Sequence, residues 1–418
     1  MHPFTWIFLA ALAARLLTQL WLGRRHLRFL RAHRDRVPEA FEGVIALQDH
    51  RRAMDYNADK ARLGRVDDLL GTAVLLAWTL GGGLQALDQA WAALAWPPVA
   101  HGTAVLVSAF VILGVLELPL SAYHTFVLEA RYGFNRTTPA TFAMDTLKQL
   151  LLLLLLGAPL AALVLWLMEK SGPLWWLWVW AVWSGFSLFM AWAWPTLIAP
   201  LFNRFTPLED EALRARIEAL LARTGFASDG VFVMDGSRRS AHGNAYFTGF
   251  GRHKRIVFFD TLLKGLGPRE VEAVLAHELG HFKKRHVVKR IAAMFALSLA
   301  GLALLGWLIQ QPWFFTALGV ATPATHLALL LFLFVVPVFG FFVSPLLAWV
   351  SRRHEFEADA FAAETVDAGS LIRALVTLYK ENAASLLRDP WYSRFYDSHP
   401  PPVERIGRLQ ALAAGTPD

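Results

Sequence analysis

The sequence of 418 residues contains no cysteine. This absence excludes disulfide bonds, a thiol nucleophile and thiolate metal ligands, so a metal ion in this chain would need histidine or carboxylate ligands. Charged residues are also scarce, at 17%, whereas 56% of the residues are hydrophobic. A composition this apolar indicates a membrane protein and not a chain of soluble domains. The net charge of +7 is then expected to reflect orientation and lipid contact, not nucleic-acid binding.

Several apolar runs reach the roughly 20 residues that an α-helix needs to cross a bilayer. The first run is too long for a signal-peptide core and lacks a basic leader, so we expect a retained span. The second run is the weakest, because the segment LGGGLQALDQ interrupts it. The pattern predicts an all-α polytopic membrane protein with about seven spans, at 3–22, 69–95, 104–126, 147–168, 174–198, 288–310 and 326–350.

The distribution of Lys and Arg predicts the orientation of these spans. Basic residues are dense after the first span, across 200–286 and in the tail from Arg352, whereas the alternate connections carry one basic residue, Lys170. By the positive-inside rule, the basic connections are cytoplasmic. We therefore expect four parts, of which the second and fourth are polar and cytoplasmic: residues 1–199 with spans one to five, 200–286, 287–350 with spans six and seven, and 351–418.

The segment AVLAHELGHF, residues 273–282, contains two histidines four positions apart. Apolar residues repeat at helical spacing around it, so His277 and His281 are expected on one helix face, where two imidazoles can bind one zinc ion. Glu278 stands beside the first histidine and could act as general base on water at the zinc. The alternative is a surface helix that carries two histidines by chance. His286, five residues later, is expected at an interface and not among the ligands.

A catalytic zinc needs a third protein ligand, and the segment SRRHEFEADAFAAE supplies candidates. Glu355 and Asp359 are four apart and share a helical face, whereas Glu357 points elsewhere. One carboxylate could bind zinc while the other orients a ligand imidazole. The alternative is a solvated, charged start of a helix. Spans six and seven would form a hairpin that returns this segment to the side of His281, so that one site is possible.

With these motifs the chain resembles the integral-membrane CAAX prenyl protease type I family of zinc metalloproteases, from about residue 117 onward. The resemblance rests on LPLSAYHTFVLEARYGFNRTTP, HGNAYFTGFGRHKRIVFFDTLL, HELGH, HEFEADAFA and YDSHPPPVERI. It implies Glu355 as the third zinc ligand and Asp359 as a residue that supports a ligand from behind. It also implies that His399 and Arg405 line the active site and that Asn244 contacts the substrate backbone. The implied fold is seven helices around a water-filled intramembrane chamber, capped by a metalloprotease part.

Without the resemblance, these segments are less specific. NAYFTGF and RIVFFDTLL favour strands, and GFGRHKR between them predicts a small β-hairpin. Its edge, at 244–249, could hold an extended peptide by strand addition, or the hairpin could be structural only. His399 precedes three prolines and could be a loop histidine, although beside zinc it or Arg405 could stabilise an oxyanion. Two further histidines are expected to be structural or interfacial, His242 and His354, and two residues of span three should face a cavity or a partner, Glu117 and His124.

The predicted site is that of a membrane-embedded endopeptidase with one zinc ion per chain, expected to be monomeric and to cut membrane-associated proteins. A zinc transporter or a non-catalytic zinc scaffold is the alternative, but transport would favour ligands inside the spans and would not need Glu278. The substrate stays open between prenylated CAAX C-termini and membrane proteins under quality control. The ratio of 31 Arg to 9 Lys favours a GC-rich bacterial genome. We therefore expect the bacterial inner membrane, with the active site on the cytoplasmic side, or the endoplasmic reticulum for a eukaryotic chain.

Overall fold

The computed structural model of the protein describes residues 2–250 and 253–415, which are mostly helical. The helices are α1 Pro3–Ala32, α2 Leu47–Trp78, α3 Gly83–Ala92, α4 Pro98–Tyr123, α5 Pro139–Leu152, α6 Ala158–Lys170, α7 Trp175–Ala193, α8 Ala199–Phe202, α9 Glu211–Thr224, α10 Asp260–Gly265, α11 Pro268–Lys283, α12 His286–Leu308, α13 Pro312–Thr316, α14 Thr325–Gly340, α15 Ser344–Thr365, α16 Ala368–Glu381, α17 Pro390–Tyr396 and α18 Pro402–Ala413. The strands are β1 Phe205–Pro207, β2 Val231–Met234, β3 Ala245–Phe250 and β4 His253–Phe259.

Six helical segments of the described chain are long and apolar enough to cross a membrane: Pro3–Ala32, Pro98–Glu129, Pro139–Lys170, Gly172–Phe202, His286–Leu308 and Thr325–Thr365. A seventh candidate is the pair α2 and α3, which is bent by 51°. The bend lies in the glycine-rich segment that weakened the second predicted span, and Gly82 adopts a positive φ of 78° there, which glycine tolerates without steric cost. The chain is a multi-pass membrane protein with seven spans if the bent pair is one of them.

The last span continues beyond the predicted boundary at residue 350. Helices α14 and α15 are separated only by a short 3-10 segment, Phe341–Val343, and together form one span candidate that ends at Thr365. The charged segment with Glu355 is therefore the extension of a membrane span and not the start of a separate helix. The positions of Glu355 and Asp359 along the membrane normal are therefore fixed by the position of this span.

The predicted hairpin is confirmed by the antiparallel pairing of β3 with β4, although its turn at 251–252 lies outside the described residues. The hairpin belongs to a four-stranded sheet in the order β1-β2-β4-β3, in which β2 is parallel to β4. The two additional strands were not predicted. Since β3 ends the sheet, no described strand pairs with its outer edge.

A hydrophobic core joins this sheet to the helices that carry the candidate site. Ile256 and Phe258 of β4 are buried together with Val271, Leu275 and Leu279 of α11. The same core includes residues of α9, α15, α16 and α18, among them Ile217, Ala362, Leu371 and Leu409. The apolar repeat predicted for α11 is thus its buried face, and this core packs α11 against α15.

A cavity of about 290 Å³ lies among the spans α1, α2, α4 and α14. It is not the large intramembrane chamber that the family resemblance implies, and that chamber stays a prediction.

Candidate active site

Three side chains that could bind a metal ion meet between α11 and α15, and each carboxylate oxygen of Glu355 lies near a different imidazole. The Nε2 atoms of His277 and His281 are 3.3 Å apart. The carboxylate of Glu355 places Oε1 3.3 Å from His281 Nε2 and Oε2 3.5 Å from His277 Nε2. A tetrahedral metal ion with bonds of about 2.0–2.1 Å separates its ligand atoms by about 3.3 Å. The donor atoms therefore have the spacing that one metal ion requires.

The burial of Glu355 supports the same conclusion. Its Oε2 atom is inaccessible to water and has no hydrogen-bond partner among the described residues. The nitrogens nearest to this oxygen, from His277, His399 and Arg405, lie 3.5–3.8 Å away, and a buried carboxylate oxygen without a hydrogen bond is typically destabilising by about 1–3 kcal/mol. A bound cation would supply the missing partner, so the residues present fit a metal ion.

A second group of potential ligands fits a metal less well. Oδ1 of Asp88 lies 2.7 Å from Nε2 of His101 and 2.7 Å from Nε2 of His326. This separation is shorter than the edge of a metal tetrahedron and typical of N–H···O hydrogen bonds. We assign it as a hydrogen-bonded cluster that joins α3 to the first turns of α4 and α14. Roughly 40 Å of helix separates His326 from Glu355.

Asp359 and Arg405 lie behind His277. Oδ1 of Asp359 is 2.8 Å from His277 Nδ1, and Arg405 donates to both carboxylate oxygens of Asp359 at 2.6 Å. All three residues are buried. Burial opposes the charged form of Arg405, but the Asp359 carboxylate raises the pKa of the guanidinium. Asp359 thus contacts the Nδ1 side of His277, and Arg405 is held chiefly by Asp359.

A cavity of about 310 Å³ opens in front of the donor atoms and is lined by Glu278, Asn244 and His399. Glu278 is half-buried, and burial raises the pKa of its carboxyl group above the ordinary value. The imidazole of His399 is 65% exposed, with Nε2 3.5 Å from Glu355 Oε2. The predicted site residues that line this cavity are His277, Glu278, Glu355, Asn244, His399 and Arg405. His281 supplies a donor atom beside it, and Asp359 lies behind His277.

A polar network holds the chain just before Asn244. Asn382, the residue after α16, accepts from the Gly243 N–H at 3.0 Å and donates to the Gly243 carbonyl at 3.2 Å. His242 lies 3.2 Å from the Glu129 carboxylate, which also accepts from the Tyr56 hydroxyl. His242 thus contacts a buried carboxylate and not the donor atoms. Glu129 lies within the quoted segment LPLSAYHTFVLEARYGFNRTTP but had no role assigned to it, and no sequence motif pointed to Asn382.

The two residues predicted to face a cavity or a partner differ in their contacts. His124 lies 3.5 Å from Glu129 and so joins this network. Glu117 of α4 is exposed.

A His–His–Glu donor set, of which His277 and Glu355 are buried and His281 is half-buried, with a carboxylate on an adjoining cavity, defines a metallopeptidase site on a membrane protein. Comparison with known families agrees. Residues 26–204 match the family described as CAAX prenyl protease N-terminal, five membrane helices, and residues 207–413 match peptidase family M48. The chain therefore belongs to the CAAX prenyl proteases of peptidase family M48, and it is a membrane metalloendopeptidase that acts on peptide or protein substrates.

Individual relatives cover nearly the whole chain. The chain is 35% identical to a CAAX prenyl protease 1 homolog of Oryza sativa subsp. japonica, with 90% of each protein covered. It is 32% identical to CAAX prenyl protease 1 of Saccharomyces cerevisiae, covering 90% of this chain and 89% of the relative. The crystal structure of S. mikatae Ste24p superimposes with a TM-score of 0.91 at 30% identity, over 98% of this chain and 99% of that one. The transporter alternative is not favoured.

Proposed function

We propose that this metalloendopeptidase is a zinc enzyme in which His277, His281 and Glu355 hold one Zn²⁺ per chain. The observation that carries the proposal is the spacing of 3.3–3.5 Å among their donor atoms. Two imidazoles and one carboxylate form a ligand set typical of catalytic zinc, which keeps a fourth position open. When bound, zinc would act as a Lewis acid on the scissile carbonyl and on water.

Glu278 is the general base in this proposal. Its carboxylate lies on the cavity beside the ligands. It would take a proton from water as the oxygen adds to the carbonyl carbon. The same proton would then pass to the amine that leaves when the C–N bond breaks.

Two further groups would support this chemistry. Asp359, fixed by Arg405, would accept a hydrogen bond from the Nδ1–H of His277 and so leave the Nε2 lone pair for the metal. His399, exposed on the same cavity, is placed to donate to the oxyanion of the tetrahedral intermediate. Arg405 is buried against Asp359, and its contribution would be mainly positioning.

The substrate would bind as an added strand along β3. The Phe259 N–H donates to the Asn244 carbonyl at 2.9 Å, so this pair is hydrogen-bonded across the hairpin. Bonding alternates along an antiparallel ladder. Thr248 therefore pairs with β4, whereas the N–H and C=O of Phe247 face the outer edge. A peptide on that edge would run past Asn244 toward the metal.

The substrate class and the location are further parts of the proposal. The curated relatives are named for CAAX prenyl proteolysis, which favours prenylated C-termini over quality control as the first substrate to test. We propose that the active site faces the cytoplasm, in a bacterial inner membrane or in the endoplasmic reticulum, and that the chain acts as a monomer. We also propose that the chemistry is shared between 200–286 and 351–418, although the last span candidate runs past residue 350 to Thr365.

Metal analysis combined with cleavage assays tests this function. Glu278→Gln should keep stoichiometric zinc and lose hydrolysis of a CAAX peptide, because it removes only the base. Alanine at His277, His281 or Glu355 should remove zinc and hydrolysis together. Full zinc in Glu355→Ala would refute the ligand assignment. Comparing farnesylated with unmodified peptide separates the prenyl requirement from the chemistry.

A further inference from the structure

A second buried histidine contacts the metal-site residue His281 from behind. Nδ1 of His281 lies 3.1 Å from Nδ1 of His286, and His286 is fully buried. We had expected His286 at an interface. Its position depends on Arg285, which adopts a left-handed conformation with φ of 57° between α11 and α12. This conformation is unfavourable for a residue with a side chain, by roughly 1 kcal/mol, and it turns His286 back toward α11.

A third residue completes the contact. Nε2 of His286 lies 2.9 Å from Oε2 of Glu357, and the ring of His354 stacks on His286 with centroids 3.9 Å apart at 14°. Glu357 does point away from the metal ligands, as the helical spacing predicted, but it points at His286. The chain His281–His286–Glu357 is therefore connected at hydrogen-bond distance throughout.

One arrangement of protons satisfies this chain when His281 binds a metal. A neutral imidazole has one N–H and one lone pair. If Nε2 of His281 gives its lone pair to the metal, Nδ1 carries the proton and donates to His286. Nδ1 of His286 must then accept, so its own proton is on Nε2 and is donated to Glu357. The carboxylate thereby determines which nitrogen of His281 is free for the metal.

In this arrangement, the Nδ1–H of each proposed ligand histidine donates a hydrogen bond that leads to a carboxylate. His277 donates directly to Asp359, whereas His281 reaches a carboxylate through one intervening imidazole. Metal-binding histidines depend on such partners, and loss of one typically lowers metal affinity by about 10–100-fold. We propose that His286 and Glu357 are positioning residues that fix the tautomer and ring orientation of His281. This inference rests on the proposed metal site.

Zinc affinity of the purified full chain, measured by chelator competition, tests the inference with two replacements of opposite character. His286→Phe keeps a ring under His354 but has no nitrogen. His286→Gln loses the ring, but its carboxamide can accept from His281 and donate to Glu357. Positioning predicts that His286→Phe binds zinc about 10–100-fold more weakly than wild type, with His286→Gln closer to wild type. The reverse order, or equal affinity for both variants and wild type, would overturn the proposal in favour of a packing role.

Glu357 offers a second test with a matched control on the same helix. Glu357→Ala should weaken zinc binding by about 10-fold, whereas Glu364→Ala, at an exposed position of α15, should not. Equal affinity in these two variants would overturn the role of Glu357. Melting of each variant without zinc identifies any that fail to fold. If wild type binds zinc and His281→Ala does not, these results concern positioning alone. If His281→Ala binds like wild type, the proposed metal site fails, and this inference fails with it.

Discussion

Gly280 of α11 lies so close to α15 that a Cβ atom on it would be 2.9 Å from the Cα of Ala358. The nearest atoms are the Cα, the carbonyl oxygen and the Cβ of Ala358, none of which can move aside as the end of a flexible side chain could. This contact sets the distance between the helix with His277 and His281 and the helix with Glu355. The glycine of the HELGH motif is therefore explained by helix packing.

Gly280→Ala should separate α11 from α15 and damage the metal site without touching a ligand. Overpacking of this kind typically destabilises by about 1–3 kcal/mol. We expect a lower melting temperature in the metal-free protein and weaker zinc binding. Gly407→Ala in α18 is the matched control, since an added Cβ there meets nothing within 4 Å. Wild-type zinc affinity in Gly280→Ala would mean that the helices can shift without cost to the site.

Removal of Arg405 should first affect stability. Arg405→Ala would leave Asp359 buried without its ion-pair partner, which typically destabilises by about 3–5 kcal/mol. Lysine should rescue poorly, because it cannot donate in the bidentate geometry seen here. Calorimetry would measure the loss of stability in the alanine and lysine variants, and zinc analysis would show whether the metal is still bound. Normal melting and full zinc with slow turnover would instead assign Arg405 directly to the oxyanion, as the sequence alone suggested.

His399→Ala, unlike Arg405→Ala, should lower turnover and leave stability unchanged. His399 is exposed and does not supply one of the three clustered donor atoms, so zinc content and melting should be unchanged. Turnover should fall by about 10²–10³, which is typical for the loss of one oxyanion donor. Single-turnover cleavage with saturating substrate measures this effect. Turnover near the wild-type rate would make His399 a loop residue only.

Proline at two adjacent positions of β3 should have different consequences. Proline removes a backbone donor and fixes φ. Phe247→Pro removes an N–H that faces the outer edge, so cleavage should fall below that of Phe247→Ala. Its melting should match that of Phe247→Ala, because both lose the ring that packs against Phe226 and Phe282. Thr248→Pro removes an N–H that pairs with β4, so the sheet itself should lose stability. Alanine at each position is the control for the side chain. Wild-type cleavage by a well-folded Phe247→Pro enzyme would exclude strand addition at this edge.

Topology can be checked independently of activity. Reporter fusions near residues 30, 135, 230 and 400 should lie in the cytoplasm, and those near 99 and 318 outside, because the basic connections stay inside. The decisive pair is 230 and 400. Opposite locations for these two reporters would be incompatible with a site that combines α11 and α15.

The sequence predicted the parts of the site that depend on local spacing. His277, His281 and Glu278 follow from a helical period and a coordination number. Glu355 and Asp359 also follow from a four-residue spacing, but the choice of Glu355 as ligand came from the resemblance. Hydropathy located the spans, and the weakness of the second one marked the actual bend.

Other parts depend on contacts between distant segments and left no local signal. Strands β1 and β2 have only three and four residues, too few for an alternating pattern to stand out, and β2 pairs in parallel with a strand distant in sequence. Asn382 is one amide at the end of α16, and it matters only because Gly243 lies beside it. The contact of His286 with His281 depends on the backbone conformation of Arg285, which composition does not reveal.

The continuity of α14 and α15 gives the catalytic site a mechanical dependence on the opposite face of the membrane. His326, hydrogen-bonded to Asp88 at that face, and Glu355 lie on one nearly unbroken rod of roughly 40 Å. A change in tilt of about 2°, of the kind that a thicker or thinner bilayer imposes, would displace its far end by about 1.4 Å. Displacements near 1 Å at reacting groups can lower rates by about 100-fold. Two features between His326 and Glu355 could absorb such a tilt before it reaches the carboxylate: Pro337 inside α14 and the short 3-10 segment Phe341–Val343.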